Sequence, residues 1–145
     1  MQYMWADTLL TLERAHLVRL ALWGGASLLV GSSLLTLLRV RGHRSSLLEH
    51  FGIQTTLWGA IDLVLVLVAL QRLELRDLAG ATRLDRFLWL NVGLDAGYVM
   101  VGLTLLIFGW RAPQRPGLIG AGLAVIVQGS ALAILDLLLA GQIAR

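Results

Sequence analysis

The chain has no cysteine and no lysine, only two prolines, and 14% charged residues across its 145 positions. Without cysteine there is no disulfide, no thiolate metal site and no thiol nucleophile, and redox chemistry gives no reading of compartment. Charge this sparse, against about 25% in a water-soluble domain, cannot cover a fold in water. What is plentiful is apolar: 57% of the residues, with a mean hydropathy of +0.77. Lipid must therefore supply part of the solvent. Every basic side chain is an arginine, which reads as genomic base composition. A sequence pI near 10.6 raises the question of nucleic acid, but the arginines lie at the ends of apolar runs and in the connections. That placement suits anionic headgroups rather than a basic groove, and no nucleic-acid partner is expected.

Length and hydropathy predict one all-α integral membrane domain over residues 1–145, a four-transmembrane-helix up-down bundle. The spans fall at about Leu17–Leu38, His50–Leu70, Phe87–Trp110 and Gly117–Ala140, each near the roughly 20 residues a crossing requires. The N-terminal MQYMWADTLLTLERAH lacks the pattern of a signal peptide. Asp7 or Thr8 is placed to cap an amphipathic helix that runs into the first span. Spans 1 and 2 are joined around Gly42–Ser46, and Pro113 and Pro116 force a tight connection that makes spans 3 and 4 a hairpin. Both termini then share one side, called here the terminal side. Arg14, Arg72, Arg76, Arg83, Arg86 and Arg145 flank it, against Arg39, Arg41, Arg44, Arg111 and Arg115 on the other. That balance barely discriminates; the long, charge-mixed second connection favours cytoplasmic termini.

Against this background three aspartates stand out. Asp62, Asp95 and Asp136 each lie inside an apolar run, where a carboxylate costs roughly 2.5–3.5 kcal/mol at mid-bilayer. Such residues persist where they face a packed interior or a water-filled cavity and find partners. Helical spacing groups them with other polar side chains. Asn91, Asp95, Tyr98 and Gly102 share one face, as do Gln54, Trp58 and Asp62; Gln128 and Asp136 lie on neighbouring positions around span 4. Trp23, Gly24, Ser27 and Gly31 form a small-residue stripe on span 1. IQTTLWGAIDLVL from Ile53 aligns without gaps on VQGSALAILDLLL from Val127, placing Gln54 on Gln128 and Asp62 on Asp136. If that echo marks duplicated hairpins, Asp62 and Asp136 sit at similar depth on parallel helices.

Counted from the terminal side at about 1.5 Å per residue, Asp62 and Asp95 lie roughly 12–14 Å deep, with Arg19, Asn91 and Asp136 nearer that surface. A half-channel open to that side can be drawn, lined by Arg19, Asn91, Asp95, Tyr98, Asp62 and Asp136. Two carboxylates close together in low dielectric either share a proton or pair with Arg19. The plainer alternative is that these groups hydrogen-bond between helices and set register, at about 0.6 kcal/mol each. Trp58 and Tyr98 read more readily as packing than as a ligand-facing platform.

Other chemistries lack their residues. His16, His43 and His50 fall at or beyond the predicted span ends and do not face each other as a haem pair would. There is no metal-ligand spacing, and Ser32 and Ser33 have no base nearby. Asp62 with Asp95 could form a carboxylate dyad, but no protease motif accompanies them. The expectation is no enzyme, no cofactor and no metal.

The segments HFGIQTTLWGAIDL, LNVGLDAGYVMVGLTL and GAGLAVIVQGSALAILDLLL carry Trp58, Gly59 and Asp62; Asn91, Gly93, Leu94, Asp95 and Tyr98; and Gln128, Gly129, Leu132 and Asp136. In these the chain, over about residues 16–140, resembles a family of small bacterial four-span integral membrane proteins of unknown function. Where members carry an Asn in span 1 after a Trp, Ser27 follows Trp23 here. The resemblance implies a four-helix fold in a bacterial inner membrane and no particular activity.

Two functions fit. In the first, a small proton- or cation-coupled transporter or ligand-binding module uses Asp62 and Asp95 to carry the proton or cation. Asp136, Asn91 and Tyr98 would orient it, Gln54, Gln128 and Trp58 would complete the site, and Arg19 would be the counter-charge. A chain this small would need a homo-oligomer to enclose a path. In the second, it is a non-catalytic accessory subunit whose polar stripes dock a partner membrane protein.

Overall fold

Four helices account for nearly all of the chain: α1 (Gln2–Val40), α2 (Ser46–Gln71), α3 (Leu78–Arg111) and α4 (Pro116–Ile143). The structure is a computed structural model that describes residues 2–112 and 115–143, with side chains from Trp5 onward. Each helix is long and apolar enough to cross a membrane, in the up-down order expected from hydropathy.

Local chemistry sets the helix ends. α1 closes on Gly42 at φ 61°, with the His43 amide donating to the Leu38 carbonyl and the Gly42 amide to Arg39, a Schellman stop that needs the left-handed glycine. Ser45 caps α2, its hydroxyl accepting from the Leu48 amide, and Asp77 caps α3, accepting from Gly80 at 2.7 Å. Pro116 stands at the first position of α4, where its missing N–H costs nothing. Pro113 and Arg145 lie outside the described residues. The expectation for Asp7 and Thr8 needs correcting: both lie inside α1, which begins upstream and runs unbroken for 39 residues. At about 1.5 Å per residue α1 is some 58 Å long, against a hydrocarbon core of about 30 Å.

The helices do not form a square. α1 packs along α2 and α3 along α4, and the two hairpins meet through α2 and α4, with a smaller α1–α4 contact; α2 and α3 make no close backbone approach, nor do α1 and α3. Glycines make the close contacts possible. Gly24, Gly31, Gly52 and Gly59 bring the α1 and α2 backbones together, and Gly102, Gly109, Gly122 and Gly129 do the same for α3 and α4, as dispersion-driven packing in lipid requires. Gly97 of α3, by contrast, meets nothing within 4 Å. α4, flanked by all three other helices, holds more of the buried residues than any other helix. Near the terminal side, Leu88, Leu139 and Ala140 form a small core with Leu12, Leu84 and Ile143 against them. Trp5, Trp89 and Trp110 are exposed, as interfacial anchors should be.

Candidate functional site

Because α2 and α3 are splayed, their facing sides enclose space. A cavity of about 440 Å³ lies between them, with α4 and the N-terminal half of α1 behind it. Asp62 and Trp58 line it from α2, Asn91, Asp95 and Tyr98 from α3, and Asp136 with Leu132 from α4. Its deep end carries the Trp58 and Tyr98 rings, in edge contact with centroids 4.9 Å apart. Its terminal-side end is bordered by Arg72, Leu73 and Arg76 from the α2–α3 connection and by Glu13. Glu13 and Arg76 form a two-point ion pair, Nε to Oε1 at 2.5 Å and Nη2 to Oε2 at 3.2 Å. The α2–α3 edge is apolar, with Ile61, Leu65, Val68, Phe87 and Leu94 lining the cavity while remaining well exposed.

The deepest polar group is a chain of three. Trp23 Nε1 donates to Gln128 Oε1 at 3.1 Å, and Gln128 Nε2 donates to Asp62 Oδ2. An indole N–H can only donate, so it holds the Gln128 amide with its oxygen toward Trp23 and its NH₂ toward Asp62. Asp62 is fully buried, and its other oxygen, Oδ1, has no hydrogen-bond partner. Asp95, 4% exposed, likewise leaves Oδ2 unpartnered. Nearer the terminal side His16 Nε2 lies 3.3 Å from Asp136 Oδ1, and Asn91 also approaches that carboxylate.

Most of the residues singled out by spacing therefore converge: Asp62, Asp95, Asp136, Asn91, Tyr98 and Trp58 line one cavity, and Gln128 stands behind Asp62. Two do not. Arg19 is exposed and off the lining, because the inner face of α1 runs Glu13, His16, Leu17 and Leu20 and leaves residue 19 to one side; the Asp136 partner is His16. Gln54 lies on α2 away from the cavity. The similar depth that duplicated hairpins would give Asp62 and Asp136 is not found, and Asp136 lies nearer the terminal side, as the depth count placed it. Gln128 is level with Asp62, and Asp136 lies eight residues beyond it, about 12 Å along α4.

Glu13, His16 and Arg76 were not anticipated as site residues. Glu13, His16, Leu20, Trp23, Ser27 and Gly31 step by three or four and continue the span 1 stripe toward the N-terminus, so the first two carried a signal. Arg76, in a connection, carried none.

The family of unknown function DUF6992 matches residues 19–137. The chain belongs to that family. The DUF6992 match takes in the aspartates, Asn91 and Gln128, whereas Glu13 and His16 precede it. No curated protein and no solved structure matches the chain.

Proposed function

We propose that the protein is a non-catalytic, multi-pass module of a bacterial cytoplasmic membrane that binds a small ligand, with a proton or cation, between α2 and α3. One observation carries this reading. Two carboxylates on different helices, both more than nine-tenths buried, turn toward the same cavity, and each has an oxygen without a partner. Groups retained only as interhelical glue would spend their acceptors on neighbouring helices, because an unpaired buried polar atom is costly. The cavity's 440 Å³ falls within the roughly 300–1,000 Å³ of small-molecule sites.

In this reading Asp62 and Asp95 meet the ligand, with Asp136, Asn91 and Tyr98 around it, and the termini are cytoplasmic. The experiment is a pair of isosteric variants, Asp62→Asn and Asp95→Asn, compared with wild type for folding and for retention of co-purifying small molecules or a cation response. Folded variants that lose the bound species support the proposal. Folded variants with unchanged retention and an unchanged protein partner would make the chain an accessory subunit instead.

A further inference from the structure

We infer that the cavity takes an amphiphile with a primary or secondary ammonium head on a short apolar body. The N–H groups meet Asp62 and Asp95, and the body lies in the α2–α3 opening. This rests on the ligand-binding reading above and names the chemistry of the ligand.

The free polar atoms set the head. Asp62 Oδ1 and Asp95 Oδ2 are buried acceptors lacking donors, so the head must donate, and to two separate carboxylates. The groups of the lining that can carry positive charge stand apart from these two oxygens: Arg76 is held by Glu13, Arg72 stands at the C-terminal end of α2, at the mouth, and His16 faces Asp136. An anionic head would meet carboxylates, and a quaternary ammonium would bring charge but no N–H to the orphaned oxygens. Trp58 precedes Asp62 by one turn of α2, and Tyr98 follows Asp95 by one turn of α3. Their touching rings therefore form an aromatic wall beyond the two carboxylates, which suits a cation.

The walls do not suit a bare divalent metal ion. No group of three or more His, Cys, Asp or Glu side chains able to hold a metal occurs among the described residues, and a hard divalent cation needs about six oxygens. The aliphatic α2–α3 edge is also misplaced for an ion but fits an apolar body entering from lipid. Leu65 and Val68 from α2 and Phe87 and Leu94 from α3 are its walls.

The test is the thermal unfolding midpoint of the purified full-length protein in a mild detergent, titrated with four six-carbon probes: n-hexylamine, n-hexyltrimethylammonium, n-hexanol and hexanoate. Expected is a saturable upward shift with hexylamine, an apparent affinity at least tenfold weaker for the trimethylammonium probe, and no saturable shift with hexanol or hexanoate. Asp95→Asn, which breaks no side-chain hydrogen bond of the fold, should weaken the hexylamine response at least tenfold; Asp62→Asn is the second variant and Asp7→Asn, exposed and off the cavity lining, the control. A saturable, Asp95-dependent shift with hexanol or hexanoate instead of the amine overturns the ammonium assignment and leaves the ligand-binding reading standing. No saturable shift with any probe, together with identical behaviour of wild type and both cavity variants, overturns both.

Discussion

Replacing Gly59 with alanine tests the contact that holds the α2 wall of the cavity in place. A Cβ at that position would lie 2.5 Å from the Leu28 amide nitrogen, 2.6 Å from the Gly24 carbonyl oxygen and 3.0 Å from Ser27 Cβ. The two tightest neighbours are α1 backbone, so no rotamer change relieves them. The helices must instead part by roughly 0.5–1 Å, a gap that forfeits a quarter to a half of each dispersion well along the seam. Overpacking of this kind costs about 1–3 kcal/mol, while the higher helix propensity of alanine returns about 0.8–1.0. The net expectation is a loss of about 0–2 kcal/mol, and of about 1–3 kcal/mol relative to an alanine that meets no clash. Gly97→Ala is the matched control, because nothing lies within 4 Å of that site; it should be neutral or stabilise by up to about 1 kcal/mol. Unfolding of both variants in mixed micelles of rising dodecyl sulfate fraction, followed by helical circular dichroism, gives the comparison. A Gly59→Ala protein as stable as Gly97→Ala would refute the close α1–α2 approach.

Three other outcomes follow from the same geometry. Gln128→Leu strips Asp62 of its one donor and should cost about 1–3 kcal/mol, whereas Trp23→Phe, which removes a neutral hydrogen bond further out, should cost about 0.5–1.5 kcal/mol in the same unfolding assay; the reverse order would contradict the Trp23–Gln128–Asp62 chain. Glu13→Gln weakens a part-buried, two-point ion pair and should cost on the order of 1.5–3 kcal/mol, while Glu49→Gln, on the exposed first turn of α2, should change stability by under about 0.5 kcal/mol. The absence of native cysteine allows clean labelling of Leu132→Cys, in the cavity lining. A cationic methanethiosulfonate should react on the order of 10-fold faster than an anionic one of equal size, and equal rates would argue against an accessible acidic cavity.

The sequence made some of this legible for a physical reason. Helical period reports which side chains share a face, so Asn91, Asp95 and Tyr98 could be grouped before their partners were known, as could Trp58 with Asp62. Their common cavity then follows from two polar faces that must both avoid lipid. Period does not report which helices are neighbours, and the splayed α2–α3 edge arises from glycine-mediated contacts elsewhere, with α4 drawn against α2. It is also silent on register. The Gln54/Gln128 and Asp62/Asp136 echo implied equal depths, but Trp23 and Asp62 select Gln128 as the group at their level, and Asp136 falls beside His16. Arg19 shows the limit from another side: in the inner face of α1 the step after His16 is to Leu20, and residue 19 turns outward. Arg76 reaches Glu13 only because the connection folds back over the cavity mouth, which no local pattern encodes.

The most direct test of the central claim is native mass spectrometry of the wild-type protein released gently from membranes, beside Asp62→Asn and Asp95→Asn. The expected result is a stoichiometric small-molecule mass on the wild type that is absent from both variants while their folded charge-state distributions match. A bare chain, or a chain carrying only another protein and unchanged by either substitution, would contradict a binding site at these carboxylates and return them to the role of packing.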